Sequence, residues 1–271
     1  MKPVRDIARE IERPKEIAFE NEIYLFWYEK LSKTRSDIFM SQSYDSGVNF
    51  AGPKKISDTD ISVGDRLYRE LKFRKNGDNL LFMFAGYLDD TMEKSELYFS
   101  QSIDNGQILK KPMKLSVQPD TENYGISISY SQNTIFVIWY EIDWSHDTVN
   151  LCLSNSRDSG NTFQILDKLP NTFASGVFSS PDRLYLVYED MDPKTFAGHV
   201  FSMYSKDDGK FSKAVEVSTT DDVETSVTDF VVLSKAISIV WNEYPLHESI
   251  SKLYSWSDNQ GISYSKPKRI R

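Results

Sequence analysis

The chain has 271 residues, 39% hydrophobic and 13% aromatic, enough for a sizeable core rich in strand-forming side chains. Its 40 acids outnumber 32 bases for a net charge of −8, which argues against a nucleic-acid partner or an anionic membrane surface. A single cysteine, Cys152, excludes an internal disulfide framework, and no apolar run approaches the roughly 18 residues of a membrane helix, so no membrane insertion is expected.

Met1 to Glu10 is charged and lacks the apolar stretch of a signal peptide. Val4 to Glu16 is the one segment of helical composition, and Pro14 interrupts it. Lys2-Pro3-Val4-Arg5-Asp6-Ile7 is similar to the C-terminal Lys266-Pro267-Lys268-Arg269-Ile270, so residues 1–14 are expected to supply a closing strand or the remnant of an extra blade.

Beyond Pro14 the pattern is strand and turn. A short strand at Glu16 to Phe19 precedes Ile23 to Glu29, with Asn21 in the joining turn, and Asp37 to Ser41 follows. The phrase Ser43-Tyr-Asp45-Ser-Gly47-Val-Asn-Phe50 comes next, then Pro53 to Ile56. The order repeats with Arg69 to Phe73, a turn at Asn76 to Asn79, Leu80 to Gly86, Ser102-Ile-Asp104-Asn-Gly106-Gln-Ile-Leu109, and Pro112 to Leu115. It repeats again with Ile126 to Tyr130, Asn133, Ile135 to Glu141, Val149 to Leu153, and Ser156-Arg-Asp158-Ser-Gly160-Asn-Thr162-Phe163. The fourth round has Ser175 to Phe178, Pro181-Asp182, Leu184 to Glu189, Ser205-Lys-Asp207-Asp-Gly209-Lys-Phe211, and Ala214 to Val217. The fifth has Val227 to Val232, Ile237 to Glu243, Ser257-Asp-Asn259-Gln-Gly261-Ile-Ser-Tyr264, and Pro267 to Ile270.

Five copies of one phrase at a period of about fifty residues predict a repeat architecture, and four strands per repeat is one blade of a β-propeller. The expected fold class is all-β, a β-propeller of five four-stranded blades, with six as the alternative. It would form one domain over 1–271, with blades at about 15–57, 58–116, 117–170, 171–218 and 219–271.

The phrase resembles the Asp-box, or BNR, repeat of sialidase-like propellers, Ser-x-Asp-x-Gly-x-Thr-Trp or Phe. Ser156, Asp158, Gly160, Thr162 and Phe163 match every named position; Asn259 departs from the Asp, Leu109 from the aromatic, and the fourth copy is one residue short. The box residues suit a tight connection: glycine permits positive φ, Asp and Ser satisfy free backbone N–H groups, and the aromatic anchors the loop. Their expected role is structural. The resemblance leaves room for a structural calcium, with no other cofactor and no metal site expected, and favours a secreted or cell-surface location.

The boxes would occupy one face of the propeller and the acidic ends of the second strands the other. That second face would gather Glu29, Asp89, Asp90, Glu141, Asp143, Glu189, Asp190, Asp192 and Glu243, with Tyr28, Tyr87, Tyr140, Trp144, Tyr188, Trp241 and Tyr244 among them. Connections between blades would add Asp58, Asp60, Asp65, Asp120, Glu122, Asp221, Asp222 and Glu224. Carboxylates that bond hydroxyls beside aromatic faces suit a sugar, and the same set suits a basic peptide or a metal ion. His146, His199 and His247 fall in or beside the same loops and read as surface histidines.

Two functions remain open. One is a non-catalytic propeller that binds a glycan or protein ligand through Tyr28, Glu29, Tyr140, Glu141, Trp144, Tyr188, Glu189, Trp241 and Glu243. The other is a glycoside hydrolase using paired carboxylates, with Glu141, Asp143, Glu189 and Asp190 as the catalytic candidates. The resemblance implies for a sialidase proper three arginines on the substrate carboxylate, an Asp acid/base, and a Tyr nucleophile with a Glu partner. Arg157 is inside a box, Arg183 is in a turn at the box face, and Arg269 and Arg271 lie in the last outer strand. The third, fourth and fifth blades thus offer no arginine on the functional face, and Arg35, Arg66 and Arg69 cluster in the first two, so the sialidase reaction is not expected. Oligomeric state is not legible.

Overall fold

The computed structural model describes residues 14–30, 36–57, 71–87, 94–131, 133–170, 172–179, 183–192, 195, 197–205, 210–233, 236–245 and 249–270. These residues form strands and turns. They divide into two compact units, Met1–Gly125 and Ile126–Arg271.

The first unit holds two antiparallel sheets. One runs in the order β1 (Lys15–Phe19), β2 (Glu22–Lys30), β3 (Ser36–Ser43) and β4 (Lys54–Lys55); the other β5 (Lys72–Asn76), β6 (Asn79–Tyr87), β7 (Ser95–Ser102) and β8 (Met113–Lys114). The second strand of each is a near-continuous apolar run, and its whole length is buried in β6 except Asn79. Such a strand has a neighbouring layer on both faces, which is why it does not alternate. One shared core contains Tyr24, Phe26, Ile38, Met40, Leu71, Phe82 and Phe84. Phe73 links the sheets, its ring 4.9 Å from Phe26 and 5.4 Å from Phe82.

Three more sheets follow. The third is β9 (Glu122–Ser131), β10 (Thr134–Asp143), β11 (Thr148–Ser156) and β12 (Gln164–Pro170). The fourth is β13 (Thr172–Ser179), β14 (Leu184–Met191), β15 (Gly198–Tyr204) and β16 (Val215–Glu216). The fifth is β17 (Glu224–Leu233), β18 (Ala236–Tyr244), β19 (Ser251–Ser257) and β20 (Lys268–Arg269). Tyr185, Val187, Val200, Ile237, Ile239 and Trp241 pack between the fourth and fifth.

Each sheet has the expected strand order, and the outer strands differ in length. Four are two residues long, whereas β12 has seven; it is the fourth strand of the expected 117–170 blade, and the sequence did not single out its residues. It bulges opposite Leu153/Ser154 and ends in Pro170, two devices that blunt an exposed edge. The suggested strand within residues 1–14 lies outside the described residues except Pro14.

Candidate functional site

Four of the boxes are tight reversals in the described residues. Ser46 and Gly47 have φ of 57° and 86°, Asn105 and Gly106 52° and 81°, Ser159 and Gly160 56° and 78°, and Gln260 and Gly261 61° and 80°. Two consecutive positive φ values define the turn that matches strand twist, and explain the glycine in second place. In the first box Ser43 Oγ donates to Asp45 Oδ1 at 2.7 Å and accepts the Gly47 N–H at 3.0 Å, while Asp45 Oδ1 accepts the Asn49 N–H at 2.8 Å. Ser102, Asp104 and Gly106 repeat this set.

In the third box Ser156 binds Asp158 and Gly160, and Asp158 accepts both the hydroxyl and the N–H of Thr162, at 2.6 and 2.9 Å. Those bonds, with that from Ser156, hold the Asp158 carboxyl down at about 2. Asn259 replaces the Asp without loss because its Oδ1 still accepts from Ser257 Oγ and the Ser263 N–H, at 2.8 and 3.0 Å. Its Nδ2 donates to Ser263 Oγ. In the fourth copy Ser205 Oγ accepts the Leu184 N–H at 3.0 Å; Asp207 and Gly209 lie outside the described residues.

The boxes also join sheets. Asn105 receives Tyr24 Oη on its side chain at 3.0 Å, and Gln42 Nε2 and Tyr44 Oη on its carbonyl at 3.0 and 2.9 Å. Likewise Tyr264 Oη donates to Ser202 Oγ at 2.9 Å. Ser46 N–H bonds the Asn21 carbonyl, placing the box beside the first hairpin turn of its own sheet. Ile23 lies opposite Ser43 and Glu29 opposite Asp37, so six strand steps, about 20 Å, separate the box end from the acidic end.

At the acidic ends the expected residues divide sharply. Tyr28, Tyr140, Tyr188 and Trp241 do not form an exposed aromatic face. They are 8%, 9%, 7% and 0% exposed: Tyr28, Tyr140 and Tyr188 lie where their strands are buried on both faces, and Trp241 lies on the buried face of β18, which alternates. Tyr188 stacks on Phe201 at 5.5 Å, and burial, with Asp190 and Asp167 nearby, pushes its hydroxyl up to about 12. Trp144 lies past the end of β10 and is 62% exposed.

Most of the expected carboxylates have structural partners. Glu29 Oε1 accepts the Trp27 indole N–H at 3.3 Å, and Glu243 Oε1 that of Trp241 at 3.2 Å. Glu141 is buried and pairs with Lys168 Nζ at 2.5 Å. Glu189 accepts the Val227 N–H beside the bulge in β17. Asp190 and Asp192 are exposed.

Asp143 belongs to the exposed turn of the β10–β11 hairpin. Its carboxylate accepts from Ser145 Oγ at 2.5 Å and Ser145 N–H at 3.0 Å, and faces His146 Nδ1 at 2.7 Å, which together hold it at about 2. Tyr87 and Tyr244 are buried and half-buried. Asp89, Asp90, Asp58, Asp60, Asp65, His247, Arg35, Arg66 and Arg69 lie outside the described residues. His199 sits between Glu216, 2.7 Å from Nδ1, and Asp221, 3.6 Å from Nε2. Among the described residues no three His, Cys, Asp or Glu side chains assemble into a metal-ligand group.

A second repeated device escaped the sequence reading. Asp37 pairs with Lys55 at 2.6 Å, Glu96 with Lys114, and His199 with Glu216, each across the same diagonal between third and outer strands. Ser57, Ser116 and Ser218 then accept the N–H of Ile38, Leu97 and Val200. The dipeptides Ile56-Ser57, Leu115-Ser116 and Val217-Ser218 were the available signal.

No family model and no curated protein matches the sequence. Among solved structures the chain is similar to a Hadza microbial sialidase, with 16% identity and a TM-score of 0.56 over 94% of this chain and 57% of that one. It is similar to the Trypanosoma rangeli sialidase, with 14% identity and a TM-score of 0.53 over 92% of this chain and 47% of that one. The GH93 α-L-arabinofuranosidase of Fusarium graminearum, solved with arabinobiose, has 15% identity and a TM-score of 0.50 over 79% of this chain and 69% of that one. The chain thus spans about half the length of the two sialidases. At these identities the likeness establishes the fold, a sialidase-like β-propeller.

Proposed function

We propose that this chain is a glycan-binding propeller whose ligand contacts the sheet ends opposite the Asp-boxes, without catalysis. One observation carries the reading: Trp144, 62% exposed, stands on a turn beside the ionised Asp143. An exposed indole covers the apolar face of a sugar ring while a fixed carboxylate accepts its hydroxyls. The turn is preorganised, since Asp143 also binds the Ser145 and His146 N–H groups.

The non-catalytic part rests on what the other carboxylates do. Glu141, Glu189 and Glu243 are engaged by Lys168, Val227 and Trp241. A hydrolase needs one carboxyl pushed up to act as an acid. The carboxyls of Glu22, Asp45, Glu96, Asp104, Asp143 and Asp158 are all moved down, the opposite direction.

The hydrolase remains the second reading, favoured by the sialidases and the arabinofuranosidase that share the fold. A glycan array and an aryl-glycoside panel, run on wild type and Trp144→Ala, test both. Binding without turnover that weakens about tenfold or more on Trp144→Ala fits the proposal. Turnover abolished by Glu141→Gln or Asp143→Asn would replace it with the hydrolase. Retention of a protein and of no glycan would replace it with a protein-binding propeller.

A further inference from the structure

Lys15 and Lys72 open the first strands of adjacent sheets in the first unit. Lys15 lies opposite Phe26 and Lys72 opposite Met83, so both occupy the strand end remote from the hairpin turn. Lys15 Nζ donates to the Leu71 carbonyl at 3.1 Å, and Leu71 is fully buried and directly precedes Lys72. One ammonium is thereby tethered at the entry to the strand that bears the other. Both lysines are half-buried. Burial lowers both from the usual lysine value, and the charge of Lys15 lowers Lys72 further.

Three lysines of these sheets have carboxylates: Lys75 with Glu22 at 2.8 Å, Lys55 with Asp37 at 2.6 Å, and Lys114 with Glu96. Lys54 bonds the Gly106 and Gln107 carbonyls, with no second ammonium beside it in those hydrogen bonds. Among the described residues no carboxylate pairs with Lys15 or Lys72, although acids outnumber bases in the chain. Two like charges held partly out of water are unfavourable until an anion joins them. Lys15 keeps two N–H donors beyond its bond to Leu71 and Lys72 has three, enough to chelate a planar or tetrahedral oxyanion.

We propose that Lys15 and Lys72 form an anion site that takes the carboxylate or sulfate group of an acidic glycan. This rests on the glycan-binding reading above, which it narrows to charged sugars. It uses two ammonium groups and no arginine, so the ligand is gripped by charge more than by fork geometry.

The test is calorimetric titration of the full chain, wild type and the Lys15→Gln/Lys72→Gln double variant, with a uronate oligosaccharide, a sulfated one, their neutral counterpart and inorganic sulfate. Wild type should bind an acidic oligosaccharide at least about tenfold tighter than the neutral one, and the double variant should lose that preference with neutral binding unchanged. The uronate and sulfated arms tell which acid group is taken. Circular dichroism checks that the double variant is folded, since Lys15→Gln removes the bond to the Leu71 carbonyl as well as the repulsion. In wild type, the acidic oligosaccharide should protect Lys15 and Lys72 from acetylation.

Neutral and acidic sugars bound alike, a preference that survives in the double variant, or no protection at the two lysines would overturn the anion site and leave glycan binding intact. Sulfate binding lost in the double variant, with no oligosaccharide bound, would keep the anion site and remove the glycan. Binding of neither would end both.

Discussion

Trp241 donates its indole N–H to Glu243 Oε1 at 3.2 Å, two residues along the same strand. Residues two apart share a face, so the pair is a local clasp at the strand end. Trp27 and Glu29 repeat it at 3.3 Å in the first sheet. Glu243 is 6% exposed and Trp241 is fully buried, so an orphaned indole there has little access to water. Glu243→Ala is expected to destabilise by about 1–3 kcal/mol, the cost of an unpaired buried donor, and Glu243→Gln by less. Urea unfolding followed by tryptophan fluorescence measures both; equal losses would show that charge, not the acceptor, matters.

The third sheet breaks the clasp. Lys168 reaches in from β12 to Glu141, and Trp139 Nε1 is left buried without a hydrogen-bond partner among the described residues. Lys168→Ala strands a carboxylate that is 6% exposed. The loss should be about 2 kcal/mol, below that of a fully buried pair because the Lys168 side chain is 40% exposed. The double variant Lys168→Ala/Glu141→Leu should recover most of it in the same unfolding assay.

The glycines separate conformation from packing. A Cβ on Gly106, at φ +81°, would run into Gln42 Oε1 and lie 2.9 Å from Met40 Cε, so Gly106→Ala should cost about 2–4 kcal/mol. Gly77, at φ +56°, has open space around it, and Gly77→Ala should cost only about 1 kcal/mol. Gly52 has neither constraint, and its alanine variant should be neutral within about 0.5 kcal/mol. A denaturant series on the three variants checks the order.

The sequence carried the strands and boxes because both are local: a run such as Leu80 to Tyr87 and a Ser-x-Asp-x-Gly turn need only their own neighbours. It did not carry the exposure of Tyr28 or Tyr140, because alternation cannot tell a strand covered on one face from one covered on both. Trp144 was separable only by its position past the last residue of β10. The lysine pair was out of reach for another reason. Lys15 and Lys72 come together through the packing of two sheets, and neither stands in a motif.

Acid should weaken the boxes in a definite pH window. Asp158 is held at about 2 by Thr162 and Ser156, below an ordinary aspartate near 3.8. A depressed carboxyl binds fewer protons folded than unfolded, so its stabilisation is fully present above about pH 4 and is lost as pH falls toward 2. Asp45 and Asp104 are lowered by the Asn49 and Ile108 N–H groups and act in the same direction. Asn259 holds the corresponding position without an ionisable group and makes the equivalent bonds. Asp158→Asn should therefore fold, with Nδ2 donating to the Thr162 hydroxyl as Asn259 does to Ser263, and should show a flatter acid limb. Urea midpoints between about pH 5 and pH 2 measure that slope for both proteins. Parallel slopes would mean that the Asp158 bonds do not survive in solution, and that the box is held by its turn geometry alone.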